Sequence, residues 1–305
     1  MLLHANRRRF LSTAISPPTV SFAIPSFSGV PAPLVFRTPL VGGSAGIHVL
    51  ALNSPPVNAL SAGVLRELAR SIVEAEADKS CKGLILTSAA SATPDGPLRP
   101  FSAGLDVREM VGKSQGEFQS FWRTLQEVFS TLWVTPLPVV ASMDGPAPAG
   151  GCWLGLLADA RVLADDPKCV IGLNEVALGI VAPRWFAHPL ERVVGPRKAE
   201  QMLCEGLLLS PIEALRCGLV DQVAPRGGAV LAAAAERVAK LAAVHAQARA
   251  DTKKSLREPF LANVFGLRGE KQEADQLATY EVMRNDETQK GLAAYMAALA
   301  GRKRG

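Results

Sequence analysis

Three short stretches of the chain carry residue types that could do chemistry together: Phe101-Ser-Ala-Gly-Leu-Asp106, Pro148-Ala-Gly-Gly-Cys-Trp153 and Gly172-Leu-Asn-Glu175. In the first two, a strand-like run leads through small residues into a helix-like segment. A helix start carries unpaired N–H groups and the positive end of the helix dipole. Small residues let a ligand carbonyl come close to that backbone. Two such turns aimed at one point make an oxyanion hole, and the N–H groups of Ala103 and Gly150 are its expected donors. Glu175 can supply a single base. The second turn runs into Trp153, with no carboxylate beside it. One base with two oxyanion donors suits moving a double bond; it suits adding water poorly.

These stretches need strands and helices to position them. Leu34–Leu40 and Ile47–Leu52 read as strands joined by the turn Gly42-Gly-Ser-Ala-Gly46. That turn matches the G-x-S-x-G nucleophile elbow, but a strand follows it where the elbow requires a helix, so a hairpin is expected. Residues 61–77 place Leu65, Leu68, Ile72 and Val73 at helical spacing, with Ser61 as N-cap. Residues 115–134 read as a helix carrying Phe118, Trp122, Leu125, Val128 and Leu132 on one side. Gly83–Thr87, Pro138–Ser142, Ala160–Ala164 and Cys169–Ile171 read as further strands. Strands alternating with helices indicate α/β. Beyond residue 185 the chain reads as mainly helical, so an α/β core over 34–225 and a helical C-terminal subdomain over 226–300 are expected.

The 305 residues are 48% hydrophobic and 20% charged, an ordinary globular composition. No apolar run is long enough to span a bilayer, which predicts a soluble protein without stable membrane insertion. The five cysteines are scattered and include no C-x-x-C pair, which argues against a disulfide framework or a zinc site. No metal-type His/Cys cluster stands out. Residues 1–66 contain no Asp or Glu, and the first 30 hold Arg7, Arg8 and Arg9 among seven Ser/Thr. Leu2, Leu3, Phe10, Leu11 and Ile15 could form an apolar helix face beside the arginines. That pattern reads as a mitochondrial transit peptide over 1–30, with a proline-rich linker at 17–33. Removing the three arginines of that leader lowers the formal net charge from +5 to +2, which is weak evidence for a nucleic-acid partner.

In their order and spacing, Phe101–Asp106, Pro148–Cys152 and Gly172-Leu-Asn-Glu-Val-Ala-Leu-Gly-Ile180 resemble the crotonase (enoyl-CoA hydratase/isomerase) superfamily. Asn53-Ser-Pro-Pro-Val-Asn58 and Gly218-Leu-Val-Asp-Gln-Val223 fit the same pattern, so the likeness covers roughly residues 35–290. Within the superfamily the chain is most similar to the mitochondrial Δ3,Δ2-enoyl-CoA isomerase branch, through Leu52–Asn58, Leu84–Ser88 and Gly172–Glu175. The resemblance implies a crotonase-like spiral of repeated ββα units, assembled as a homotrimer or a pair of trimers. It implies an acyl-CoA substrate in the mitochondrial matrix, with coenzyme A present only as part of that substrate and no metal or redox cofactor. By the same resemblance, Ala103 and Gly150 hold the thioester oxygen. Gly104, Leu105, Asp106 and Val107 lie along the acyl-CoA site, with Asn174 beside it, and Glu175 is the general acid/base.

Hydratases of this family use two glutamates, and the position matching the first is Trp153 here. A double-bond shift needs only one: a base removes a C2 proton, and the resulting dienolate takes a proton at C4. Trp153 is expected to exclude water from the site. Burial beside Val176 and Leu178 is expected to raise the pKa of Glu175. Two other readings stand beside this one: another acyl-CoA reaction through an enolate, such as weak hydration, and a catalytically silent RNA-binding or scaffold protein.

Overall fold

The computed structural model describes residues 19–26, 31–92, 96–266 and 268–302. Of the stretch read as a leader, residues 1–30, residues 1–18 with the arginines and residues 27–30 lie outside the described residues. In chain order the strands are β1 (Val35–Pro39), β2 (Ile47–Leu52), β3 (Gly83–Ser88), β4 (Val139–Met143), β5 (Ala147–Pro148), β6 (Ala160–Ala164), β7 (Ile171–Gly172) and β8 (Gln222–Ala224). The helices are α1 (Ala62–Ala77), α2 (Gln115–Val134), α3 (Gly150–Leu157), α4 (Arg184–Val194), α5 (Pro196–Glu205), α6 (Pro211–Arg216), α7 (Gly228–Ala242), α8 (Ala246–Phe265), α9 (Gln272–Met283) and α10 (Asp286–Arg302).

One sheet runs β1-β2-β3-β4-β6-β8, antiparallel between β1 and β2 and parallel elsewhere. The glycine-rich turn after Leu40 closes the β1–β2 hairpin, with Leu40 N–H donating to Ile47 O at 2.9 Å. Every residue of β3, β4 and β6 is buried, as continuous apolar runs covered on both faces require. A separate two-stranded sheet pairs β5 with β7 in parallel.

Helix α1 starts where Ser61 Oγ accepts from Val64 N–H at 3.4 Å, and it buries Leu65, Leu68 and Ile72 completely. Val73 is 54% exposed, contrary to its expected place on that face. The buried face runs through Val64, Leu65, Leu68, Ala69, Ser71, Ile72 and Ala75, and at about 100° per residue Val73 falls beyond its edge. Helix α2 opens with a reciprocal Ser114–Glu117 capping box and buries Phe118, Trp122, Leu125, Val128 and Leu132. Each such side chain contributes about 1.5–3 kcal/mol by leaving water.

A polar clamp fixes α9 to α2 and α4. The Asp275 carboxyl accepts from Trp122 Nε1 (2.9 Å), Gln126 Nε2 (2.8 Å) and Trp185 Nε1 (3.2 Å), while Gln276 Nε2 donates to Gln126 Oε1 at 2.8 Å. Residues 19–26, expected in the linker, dock on the β1–β2 hairpin. Ser21 and Val41 exchange backbone hydrogen bonds of 3.0 and 2.8 Å, and Val20 and Phe22 are buried. No helix among the described residues is long and apolar enough to cross a membrane.

Candidate active site

The two glycine turns and the glutamate meet because short backbone pairings tie them together. Phe101 N–H donates to Pro146 O at 3.0 Å, joining the first turn to the strand entering the second. Ala147 pairs with Ile171 and Pro148 with Gly172, and Ala149 N–H donates to Gly172 O at 2.8 Å. The second turn thereby sits beside the segment that carries Glu175. Asn58 secures the first turn from below: its Nδ2 donates to Phe101 O at 3.1 Å, and its carbonyl accepts from Ser102 Oγ at 2.7 Å. The stretch from Asn53 to Asn58, singled out by family resemblance, is therefore scaffolding for the turn.

The turns approach so closely that side chains would not fit between them. A Cβ on Gly150 would lie 3.0 Å from Leu105 N, and one on Gly104 would lie 3.1 Å from Gly150 N. Gly104 also holds a φ of +97°, a conformation that glycine adopts freely. Ala149, which enters α3, holds a positive φ of 49°, uncommon for a non-glycine residue.

The expected donor Ala103 is corrected by the structure. Its N–H is already engaged, donating to Val57 O at 2.9 Å. Two residues on, Leu105 bridges Leu60 in parallel: Leu60 N–H donates to Gly104 O, and Asp106 N–H donates to Leu60 O. In a parallel bridge the central residue's own N–H points to the opposite side. Leu105 N–H accordingly has no acceptor among the described residues. Gly150 opens α3, so its N–H lies among those with no intrahelical partner. The free donors are thus Leu105 and Gly150.

Both border a cavity of about 110 Å³ with walls from six separate segments. Of the residues expected at the site, Ala103, Leu105, Val107, Gly150, Asn174 and Glu175 line it. Gly104 and Asp106 do not. Gly104 is turn backbone, and the Asp106 side chain caps a 3-10 helix at Val107–Glu109 and pairs with Arg108 at 2.5 Å. Burial opposes the charge on Asp106, but the Arg108 guanidinium and N–H outweigh it and hold the carboxyl below its ordinary range.

Glu175 begins a 3-10 helix, Glu175–Leu178, that ends at Gly179 in the left-handed conformation. Its Oε2 is shielded from solvent and has no hydrogen-bond partner among the described residues. Burial pushes its carboxyl up to about 7, and a hydrogen bond from its own backbone N–H offsets only part of that rise. It is the only carboxylate among the lining residues. Trp153 does not line the cavity; it is completely buried one layer behind, and Phe186 forms the wall. Trp122 is both core and wall. Met110, Phe186, Met283 and Tyr295 also border the cavity and carried no sequence signal; Met110 closes the 3-10 helix right after the first turn, and the other three arrive from helices far along the chain. Among the described residues, no group of three or more His, Cys, Asp or Glu side chains could hold a metal ion.

Known proteins resemble this chain in sequence and fold. The family profile described as Enoyl-CoA hydratase/isomerase matches residues 42–300. The human protein named Enoyl-CoA delta isomerase 1, mitochondrial, is 39% identical over 259 residues, covering 85% of this chain and 82% of that one. A probable enoyl-CoA hydratase of Bacillus subtilis is 30% identical over 253 residues, covering 82% of this chain and 92% of that one. The crystal structure of human mitochondrial delta3-delta2-enoyl-CoA isomerase matches with a TM-score of 0.81 at 38% identity, covering 88% of this chain and 99% of its own. The fold is the crotonase fold that the resemblance implied, and the chain belongs to the enoyl-CoA hydratase/isomerase family.

Proposed function

We propose that this protein converts 3-cis- and 3-trans-enoyl-CoA to 2-trans-enoyl-CoA, the step that feeds unsaturated fatty acids into β-oxidation. The observation that carries the reading is a single shielded carboxylate sharing one largely apolar cavity with two free backbone N–H groups. The relatives named enoyl-CoA delta isomerase support it.

The chemistry follows from the groups present. Ionised Glu175 takes a proton from C2, and the C–H electrons move toward the thioester carbonyl as a dienolate. Leu105 and Gly150 N–H donate to the oxygen where that charge gathers, which is where fixed dipoles lower a barrier most. Protonated Glu175 then returns the proton at C4, leaving the double bond between C2 and C3. A carboxyl near 7 is both a competent base and a competent acid at neutral pH. Hydration needs a second group to hold and deprotonate water, and among the described residues no other carboxylate lines the cavity. The resemblance further supports a homotrimer in the mitochondrial matrix that needs no resident cofactor, coenzyme A arriving with the substrate.

The test is turnover of a trans-3-enoyl-CoA, followed by the ultraviolet absorbance of the conjugated 2-enoyl thioester, with Glu175→Gln alongside. Conversion that the variant loses by several orders of magnitude is expected. No product, or equal rates in both proteins, overturns the proposal.

A further inference from the structure

The turn Gly42-Gly-Ser-Ala-Gly46 and the segment 19–26 play no part in the proposed chemistry, and they meet each other. We propose that residues 19–26 stay in the mature protein as a strap on the β1–β2 hairpin, and that removal of the leader cuts the chain upstream of Thr19. The strap is independent of the isomerase reading; only the cut rests on the mitochondrial reading of the leader.

Three observations support it. First, the strap is built into a sheet edge and into the core. β1 is an outermost strand of the six-stranded sheet. Just beyond it, Ser21 and Val41 exchange backbone hydrogen bonds of 3.0 and 2.8 Å in an antiparallel bridge. On either side of Ser21, Val20 and Phe22 turn inward and are only 7% and 5% exposed, whereas Ser21 faces solvent. That alternation is the period of a strand with one buried face. A cut after Thr19 would take apolar side chains from the core and leave the Val41 N–H and C=O without their partners.

Second, the turn is shaped to receive the strap. Gly42 holds a φ of +76°, and a Cβ there would lie 2.3 Å from Thr19 O, well inside contact distance. The glycine that imitates the start of a nucleophile elbow therefore makes room for the Thr19 carbonyl.

Third, the residues on which the leader reading rests all precede the strap. Arg7, Arg8 and Arg9 and the apolar set from Leu2 to Ile15 lie before Thr19, and no Lys or Arg occurs from residue 10 to residue 36. Import signal and structural segment are thus consecutive along the chain. A cut between Arg9 and Thr19 separates them without touching the fold.

Two measurements test the proposal. The full 305-residue chain, tagged at its C-terminus, is produced in a eukaryotic cell, and its first residue is read by intact mass and N-terminal sequencing. A first residue from Phe10 to Thr19 is expected. A chain that starts after Thr19, or one that keeps Arg7–Arg9, overturns the cut. Chains beginning at Thr19 and at residue 27 are then melted beside the full chain and beside Phe22→Ala in the full chain. The chain from Thr19 is expected to melt within about 1 °C of the full chain. Loss of the strap is expected to lower the midpoint by at least about 5 °C, and Phe22→Ala by at least about 3 °C. The point variant carries the test if the shorter chain does not fold. Midpoints that match the full chain in both overturn the strap. Neither measurement uses turnover, so each result stands apart from the test of isomerisation.

Discussion

Trp153 stands edge-on to Phe186, with ring centroids 4.5 Å apart and planes at 87°, and Phe186 alone of the two borders the cavity. The indole therefore braces the wall from behind. Water exclusion, expected of Trp153 itself, falls directly to Phe186. Trp153, at the position where the family resemblance expects a hydratase glutamate, is part of an aromatic layer with Trp185, whose ring lies 5.7 Å from it. Replacing it by Glu would put a carboxylate among rings, and burying an unpaired charge is strongly unfavourable. Trp153→Glu is expected to lower the thermal midpoint sharply and to add no water to 2-enoyl-CoA. A stable variant with hydratase activity would refute this packing argument.

The elevated carboxyl of Glu175 sets a pH dependence. The base works only when ionised, so kcat/KM should rise with pH through an apparent pKa of about 7 and level off above it. Initial rates from pH 5.5 to 9 check this. A profile that is flat between 6 and 8 would place the ionisation elsewhere.

The same shift has a stability consequence. Glu175 binds its proton more tightly folded than unfolded, so between pH 4.5 and about 7 the native state holds more protons. Stability from this group therefore falls as pH rises through that window and stays low above it. Glu175→Gln removes the charge but keeps the shape. It should stabilise the protein at pH 8 by on the order of 3 kcal/mol and change little at pH 4.5. Thermal melts of both proteins at the two pH values decide it. Equal differences at both would contradict a burial cost on the ionised carboxylate.

Gly150→Ala would place a methyl 3.0 Å from Leu105 N, between the two donors. The thioester oxygen could then no longer reach both. Losing one such donor typically costs about 10²–10³ in kcat, and a smaller change in KM is expected. Steady-state kinetics of the folded variant test this, and an unchanged kcat would remove Leu105 and Gly150 from the mechanism.

Asp275 links two indoles and a glutamine across α2, α4 and α9. Asp275→Ala would leave those donors without their shared acceptor, at a cost of about 3 kcal/mol. Urea unfolding followed by tryptophan fluorescence should show a lower midpoint. A midpoint matching wild type would mean that other acceptors replace the carboxyl.

Local chemistry made much of this protein legible in its sequence. The apolar runs from Gly83, Val139 and Ala160 became buried parallel strands because such runs fit nowhere else. The two glycine turns and Glu175 line one cavity. Tertiary structure decided which N–H groups were free. Ala103 and Leu105 sit two residues apart in one turn, and only the partners Val57 and Leu60 determine which donor is already engaged. It also decided which aromatic ring faces substrate. Trp153 and Phe186 are equally apolar in sequence, and the packing of α3 against α4 put one in front of the other. Residue type and spacing fix what a segment can do; the direction of an N–H or a ring depends on neighbours far away along the chain.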